Sequence, residues 1–164
     1  MRLFIAIPLD EGMRRAVQSV QAEFRRHGVR GNYTKPENLH LTLAFIGEYP
    51  DPDAVLEAMS AVSPRPMRLR LEGIGAFGDL WWIGLGKCEA LEAYVRALRR
   101  ALAEAGIPFD RKRFSAHITL VRRAECGPKG MPGAAVPEAA MAAERAVLMR
   151  SDRGRDGMIY TEIG

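Results

Sequence analysis

The chain has 164 residues, 48% of them hydrophobic and 27% charged, with a formal net charge of +4. That profile fits one compact domain, or two small lobes sharing a core, and excludes a low-complexity or disordered chain. No apolar run approaches the roughly eighteen residues that cross a bilayer.

The opening MRLFIAIPLDEG turns acidic with no small-residue cleavage site, so it reads as a first strand rather than a signal peptide. Leu3–Ile7 forms that strand, with Pro8 and Asp10 as turn and N-cap. A helix follows, carrying Met13, Val17, Val20 and Phe24 at helical spacing and closing at Gly28. Residues 39 to 46 read LHLTLAFI. Leu39, Leu41, Leu43 and Phe45 alternate, which predicts a strand with these four facing a core and His40, Thr42 and Ala44 on the other side. After Gly47 a helix opens at Asp51–Pro52 with Val55, Leu56, Met59 and Val62 inward. SPRP ends it, and Met67, Leu69 and Leu71 then alternate with Arg68, Arg70 and Glu72 as a half-exposed strand.

The plan then repeats. Trp81–Leu85 predicts a strand, followed by a helix with Leu91, Tyr94, Val95, Leu98 and Leu102 inward and a stop at Gly106. In SAHITLVR, Ala116, Ile118 and Leu120 face one way while His117 and Thr119 face the other. Ile5 to His40 is 35 residues, and so is Trp82 to His117. This is a degenerate duplication, which suits two lobes about an approximate two-fold axis. Beyond it lie a Gly/Pro-rich loop at 125–137 and a closing pair of strands, Ala146–Met149 and Met158–Ile163.

The chain contains three histidines and four threonines, and two of the histidines have threonine two residues on. Histidine exchanges protons near neutral pH, so two brought together by a two-fold relation can serve as general base and general acid on one reacting centre. Each threonine stands about 7 Å along the same strand face and can donate to an anionic oxygen between them. Such a site suits a phosphodiester. No tight cluster of His, Asp, Glu and Cys appears, so no metal and no cofactor are expected. His27, at a helix end beside Gly28, reads as structural. Cys88 and Cys126, the only cysteines, lack a C-x-x-C spacing. They fit a reducing cytoplasm and idle thiols. Twenty of the 24 basic residues are arginine, which fits a phosphate-bearing partner without by itself establishing nucleic acid.

HLTL at 40–43 and HITL at 117–120 resemble the paired H-x-T-x motifs of the 2H phosphoesterases. MRLFIAIPL, KPENLHLTLAFIGE, GIGAFG, WWIGL, AGIPFDRKRFSAHITLVR and GMIY resemble, in that order, the RNA 2′,3′-cyclic phosphodiesterase branch historically called 2′-5′ RNA ligases. The resemblance covers nearly the whole chain, 1–164, as a single bilobal domain. It implies an α+β fold in which two antiparallel sheets flank a central cleft with helices outside. It also implies metal-independent hydrolysis of a 2′,3′-cyclic phosphate to a 2′-phosphomonoester. On that basis His117 activates water, His40 protonates the departing 3′ oxygen, and Thr42 and Thr119 hold the non-bridging oxygens. Arg122 clamps phosphate, and Tyr160 lines the cleft. Arg123 points away, and Val121, where many members carry a small residue, would narrow the cleft floor. The segment FGDLW lacks the arginine often found before its tryptophan, and SDRGRDGMIY lacks the usual proline. The expected substrate is an RNA end or cyclic nucleotide, the expected state a monomer. Two other readings stand beside this one. The same residues could run the reverse 2′-5′ ligation, or the chain could be a non-catalytic RNA-binding module with Trp81 or Phe77 stacking on bases.

Overall fold

A computed structural model describes residues 1–164. In the first half of the chain, strand β1 (Arg2–Pro8) leads into helix α1 (Glu11–Arg26) and strand β2 (Arg30–Tyr33). A 3-10 turn at Pro36–Asn38 precedes strand β3 (His40–Glu48), helix α2 (Pro52–Ser60) and strand β4 (Met67–Phe77). The second half comprises β5 (Leu80–Leu85), helix α3 (Glu89–Glu104), β6 (His117–Glu125), β7 (Ala140–Ala143), β8 (Val147–Gly154) and β9 (Gly157–Glu162). No helix is long and apolar enough to cross a membrane.

The predicted signals act where the sequence places them. Asp10 Oδ1 accepts from the Met13 amide at 2.8 Å and opens α1, while Asp51 Oδ1 accepts from the Ala54 amide at 3.1 Å and opens α2. Helix α1 buries Met13, Val17, Val20 and Phe24, and α3 buries Leu91, Tyr94, Val95, Leu98 and Leu102. His27 caps the C-terminus of α1 and lies 3.2 Å from Glu23 Oε1. Strands β2 and β7 have no counterpart in the sequence pattern. Each has only four residues, and RGNY carries no apolar alternation; pairing with β6 and β4 makes them strands.

The sheets run β3-β1-β8-β9 and β2-β6-β5-β4-β7, and every pairing is antiparallel. The duplication is visible in this order, since β3-β1-β8 and β6-β5-β4 match strand for strand. The halves are also interleaved. First-half β4 joins the sheet of β5 and β6, and second-half β8 joins the sheet of β1 and β3. The helices cross in the same sense: α1 packs on β6 and β7, and α3 packs on β3. Phe24 of α1 meets Trp81 of β5 edge-on at 5.3 Å. One cluster of 33 buried residues runs through both sheets.

Register corrects the spacing argument. His40 stands opposite Pro8 and His117 opposite Gly84, so these are the matched positions. Ile5 is buried in the core while Trp82 lines the cleft between the sheets, so the pair of 35-residue intervals joins non-equivalent residues.

Candidate active site

Strand alternation carries His40, Thr42, His117 and Thr119 onto the cleft side, with Leu39, Leu41, Ile118 and Leu120 buried behind them. Immediately after each threonine the alternation breaks. Ala6 pairs with Thr42 and Ile5 with Ala44, so Leu43 is an extra residue. Trp82 pairs with Thr119 and Trp81 with Val121, so Leu120 is an extra residue. A β-bulge therefore succeeds H-x-T in both halves. Both residues of each bulge are buried: Leu120 and Val121 lie behind the cleft, while Leu43 and Ala44 are covered at its wall.

The bulges change which side chains reach the cleft. Phe45, expected in the core, lines the cleft, and Ala44, expected beside His40 and Thr42, also stands on the cleft wall, though almost wholly covered. Arg122 stands five residues after His117, as Phe45 does after His40, and it too lines the cleft. Val121 is fully buried and forms no part of the cleft floor. Arg123 takes a left-handed backbone, φ 53°, beside a second irregularity where β2 pairs with β6. It is absent from the cleft lining. The signal for the bulges lies in the sequence as two successive apolar residues, Leu43-Ala44 and Leu120-Val121, where strict alternation would have a polar one.

The two histidines are held alike. His40 Nδ1 donates to the Asn38 carbonyl at 2.6 Å, and His117 Nδ1 donates to the Ser115 carbonyl at 2.6 Å. In the neutral form each ring thus keeps Nε2 free of a proton. His40 Nε2 accepts from Thr42 Oγ1 at 2.7 Å. The Asn38 side chain, itself buried, donates to the Met158 carbonyl at 2.9 Å and ties β9 to this strand.

Their surroundings differ. Phe4 lies 4.9 Å from the His40 ring, and Tyr160 meets both edge-on at 5.0 and 5.3 Å. Burial pushes the His40 pKa below its ordinary 6.5; the Asn38 carbonyl works the other way, and the charges of Arg122 and His117 add to the lowering. His117, half-buried like His40, lies edge-on to Phe77 at 5.2 Å and 6.0 Å from Trp82. Phe77 is 50% exposed at the cleft mouth, whereas Trp81 is 6% exposed in the core and cannot stack on a base. Sequence reasoning missed Phe4, Phe45 and Trp82 as cleft residues.

The cleft encloses about 1540 Å³, beyond the roughly 300–1,000 Å³ of a small-molecule pocket, so it has room for the end of a polymer. Arg2, Arg99, Arg113, Arg122 and Arg153 stand on its lining. Arg122 makes no ion pair within the protein, which leaves its guanidinium open to an anion. Nowhere do three His, Cys, Asp or Glu side chains group in a way that could hold a metal.

Comparison with known proteins respects the same division of the chain. The family model described as LigT like Phosphoesterase matches residues 7–80 and 83–160, one segment for each H-x-T. The chain is 34% identical over 130 residues to the RNA 2′,3′-cyclic phosphodiesterase of Archaeoglobus fulgidus, covering 74% of this chain and 72% of that protein. It is 34% identical over 179 residues to the protein of the same name from Thermus thermophilus, covering 98% and 87%. Among solved structures, Escherichia coli LigT complexed with 3′-AMP superposes with a TM-score of 0.81 at 26% identity, over 99% of this chain and 94% of that one. With two bulged H-x-T strands facing one cleft, and with relatives that match both halves in order, the chain belongs to the LigT-like phosphoesterase family.

Proposed function

We propose that the cleft hydrolyses a terminal RNA 2′,3′-cyclic phosphate to a 2′-phosphomonoester, with His40 and His117 as the acid–base pair. The observation that carries this reading is the matched presentation of the two Nε2 atoms, each set by a carbonyl two residues upstream. The A. fulgidus and T. thermophilus relatives bear the corresponding name.

In this reading the cyclic phosphate sits between the rings. One imidazole takes a proton from water as its oxygen attacks phosphorus. The other gives a proton to O3′ as the P–O3′ bond breaks, leaving a 3′ hydroxyl and a 2′-phosphomonoester. Thr42, Thr119 and Arg122 hold the non-bridging oxygens, where negative charge grows. Tyr160 supports the His40 ring, and Phe45 and Phe77 offer apolar faces to the terminal nucleoside. Because Arg122 and the threonines answer the developing charge, the chemistry calls for no metal.

Resemblance assigns His117 as base and His40 as acid. The depressed pKa of His40 favours the reverse, because its neutral ring is the ready base. The chain is read as a cytoplasmic monomer, on the grounds that both histidines come from one chain and both cysteines are free.

The test is an oligoribonucleotide ending in a 2′,3′-cyclic phosphate, incubated in EDTA with wild type, His40→Ala and His117→Ala. Wild type is expected to yield the 2′-phosphate, and each variant to lose about 10² to 10⁴ in rate. An intact end with wild type, or variants that match it, would leave an RNA-binding module as the better account. In His117→Ala the residual rate decides the roles: a rise with pH through the His40 pKa makes His40 the base, and a fall makes it the acid.

A further inference from the structure

We propose that Gln21 and Arg99 are positioning residues, each pinning the β-bulge in the opposite half so that Arg122 and Phe45 face the cleft. The inference rests on the reading of the cleft as a phosphate site.

The two residues hold equivalent places. Gln21 is the eleventh residue of α1, which begins at Glu11, and Arg99 is the eleventh of α3, which begins at Glu89. Gln21 Nε2 donates to the Leu120 carbonyl at 2.9 Å and to the Thr34 carbonyl at 2.9 Å. Arg99 donates from NH2 to the Leu43 carbonyl at 3.3 Å and from NH1 to the Lys112 carbonyl at 2.8 Å. Leu120 and Leu43 are the extra residues of the two bulges. Each helix therefore bonds one carbonyl of its own half, in the segment leading to its histidine strand, and the bulged carbonyl of the other half.

The Leu120 carbonyl also accepts from the Thr34 amide at 3.0 Å, so Gln21 supplies its second donor and satisfies the Thr34 carbonyl as well. Arg99 supplies a side-chain donor to the Leu43 carbonyl. A buried carbonyl left short of its donors is costly. Removing the side-chain donor weakens the bulge against a slide back to regular pairing. Because strand side chains alternate with period two, that slide would turn every residue beyond the bulge to the opposite face. Arg122 and Phe45 are the matched cleft residues two positions beyond the extra residue of each bulge. His40 and His117 precede them and keep their faces. Gln21 is only 3% exposed, so no solvent role accounts for a polar amide there.

The experiment is a double-mutant cycle read by binding of inorganic phosphate, monitored by 31P NMR, and by kcat/KM on the cyclic-phosphate oligonucleotide. Gln21→Met is expected to weaken phosphate binding roughly tenfold, and Arg122→Ala at least as much. The double variant should bind no more weakly than Arg122→Ala alone, because the side chain that Gln21 aims is already gone. Arg99→Met should raise KM for the oligonucleotide in the same non-additive way with Phe45→Ala, and Arg99→Lys, which keeps a donor, should recover most of the loss. Thermal melts accompany each variant, and Gln21→Asn serves if Gln21→Met does not fold. Additive losses, or losses that track melting temperature alone, would overturn the proposal. A wild type that binds phosphate but leaves the cyclic end intact overturns the hydrolytic reading, and the phosphate cycle then still decides the roles of Gln21 and Arg99. A wild type that binds no phosphate overturns both.

Discussion

His40 and His117 occupy matched positions with matched tautomers, yet one ring is enclosed by Phe4 and Tyr160 and the other lies beside Phe77 and Trp82. The enclosure has a consequence for stability. In the unfolded chain His40 takes up a proton as pH falls through about its ordinary 6.5, while the folded protein resists protonation until lower pH. Acid therefore favours the unfolded state through this group, and its contribution is complete only above 6.5. Melting temperature is expected to fall between pH 7 and 5, and a His40→Asn variant should flatten that slope; equal slopes would deny the effect. Gly31 is a second single-residue case. It holds φ +152°, and a Cβ there would lie 2.7 Å from Val121 Cγ2 and 2.8 Å from the Arg122 carbonyl. Gly31→Ala is expected to cost about 2 kcal/mol or more in chemical denaturation, and to lower activity by shifting Arg122.

At the scale of elements, the strands and helices bearing continuous periodic stripes were legible: α1, α3 and the alternating Met67, Leu69 and Leu71 of β4 stand where the pattern puts them. The H-x-T pairs were legible as well, since they precede any break in period two. The facing of the residues beyond each threonine was not, because a bulge is a relation between two strands and one strand's pattern records it only as a pair of apolar neighbours. Hence alternation puts Phe45 on the wrong face, and only the family resemblance puts Arg122 in the cleft and Val121, mistakenly, on its floor. Strands β2 and β7 draw their pairing from partners distant in sequence. The floor beneath His117 shows how closely such elements fit. A Cβ on Gly75 would lie 2.4 Å from the Trp82 ring, directly opposite it on β5. Gly75→Ala should displace the indole, change tryptophan fluorescence, and cost about 1–3 kcal/mol by overpacking. Its rate should fall as well, because Trp82 packs against His117; unchanged fluorescence would refute the displacement.

For the whole molecule, interleaving decides how the protein behaves as a unit. Each sheet contains strands from both halves, each motif strand is backed by the other half's helix, and one core joins them. Neither half can bury its sheet alone. Denaturant unfolding is expected as one transition, with fluorescence and far-UV circular dichroism coinciding, and light scattering should give the mass of one chain. Two separated transitions would mean that the halves fold independently. The exchanged strands also bear on how the protein is made. The sheet that carries His40 pairs β1 with β8, so at the ribosome β1 must wait, unpaired on that edge, until residues 147–154 have emerged. During that interval β1, an apolar strand, has a free edge of the kind that seeks other chains. Yield in the cell should therefore depend on translation rate and on chaperones that shield nascent strands more than the modest size of the chain would lead one to expect.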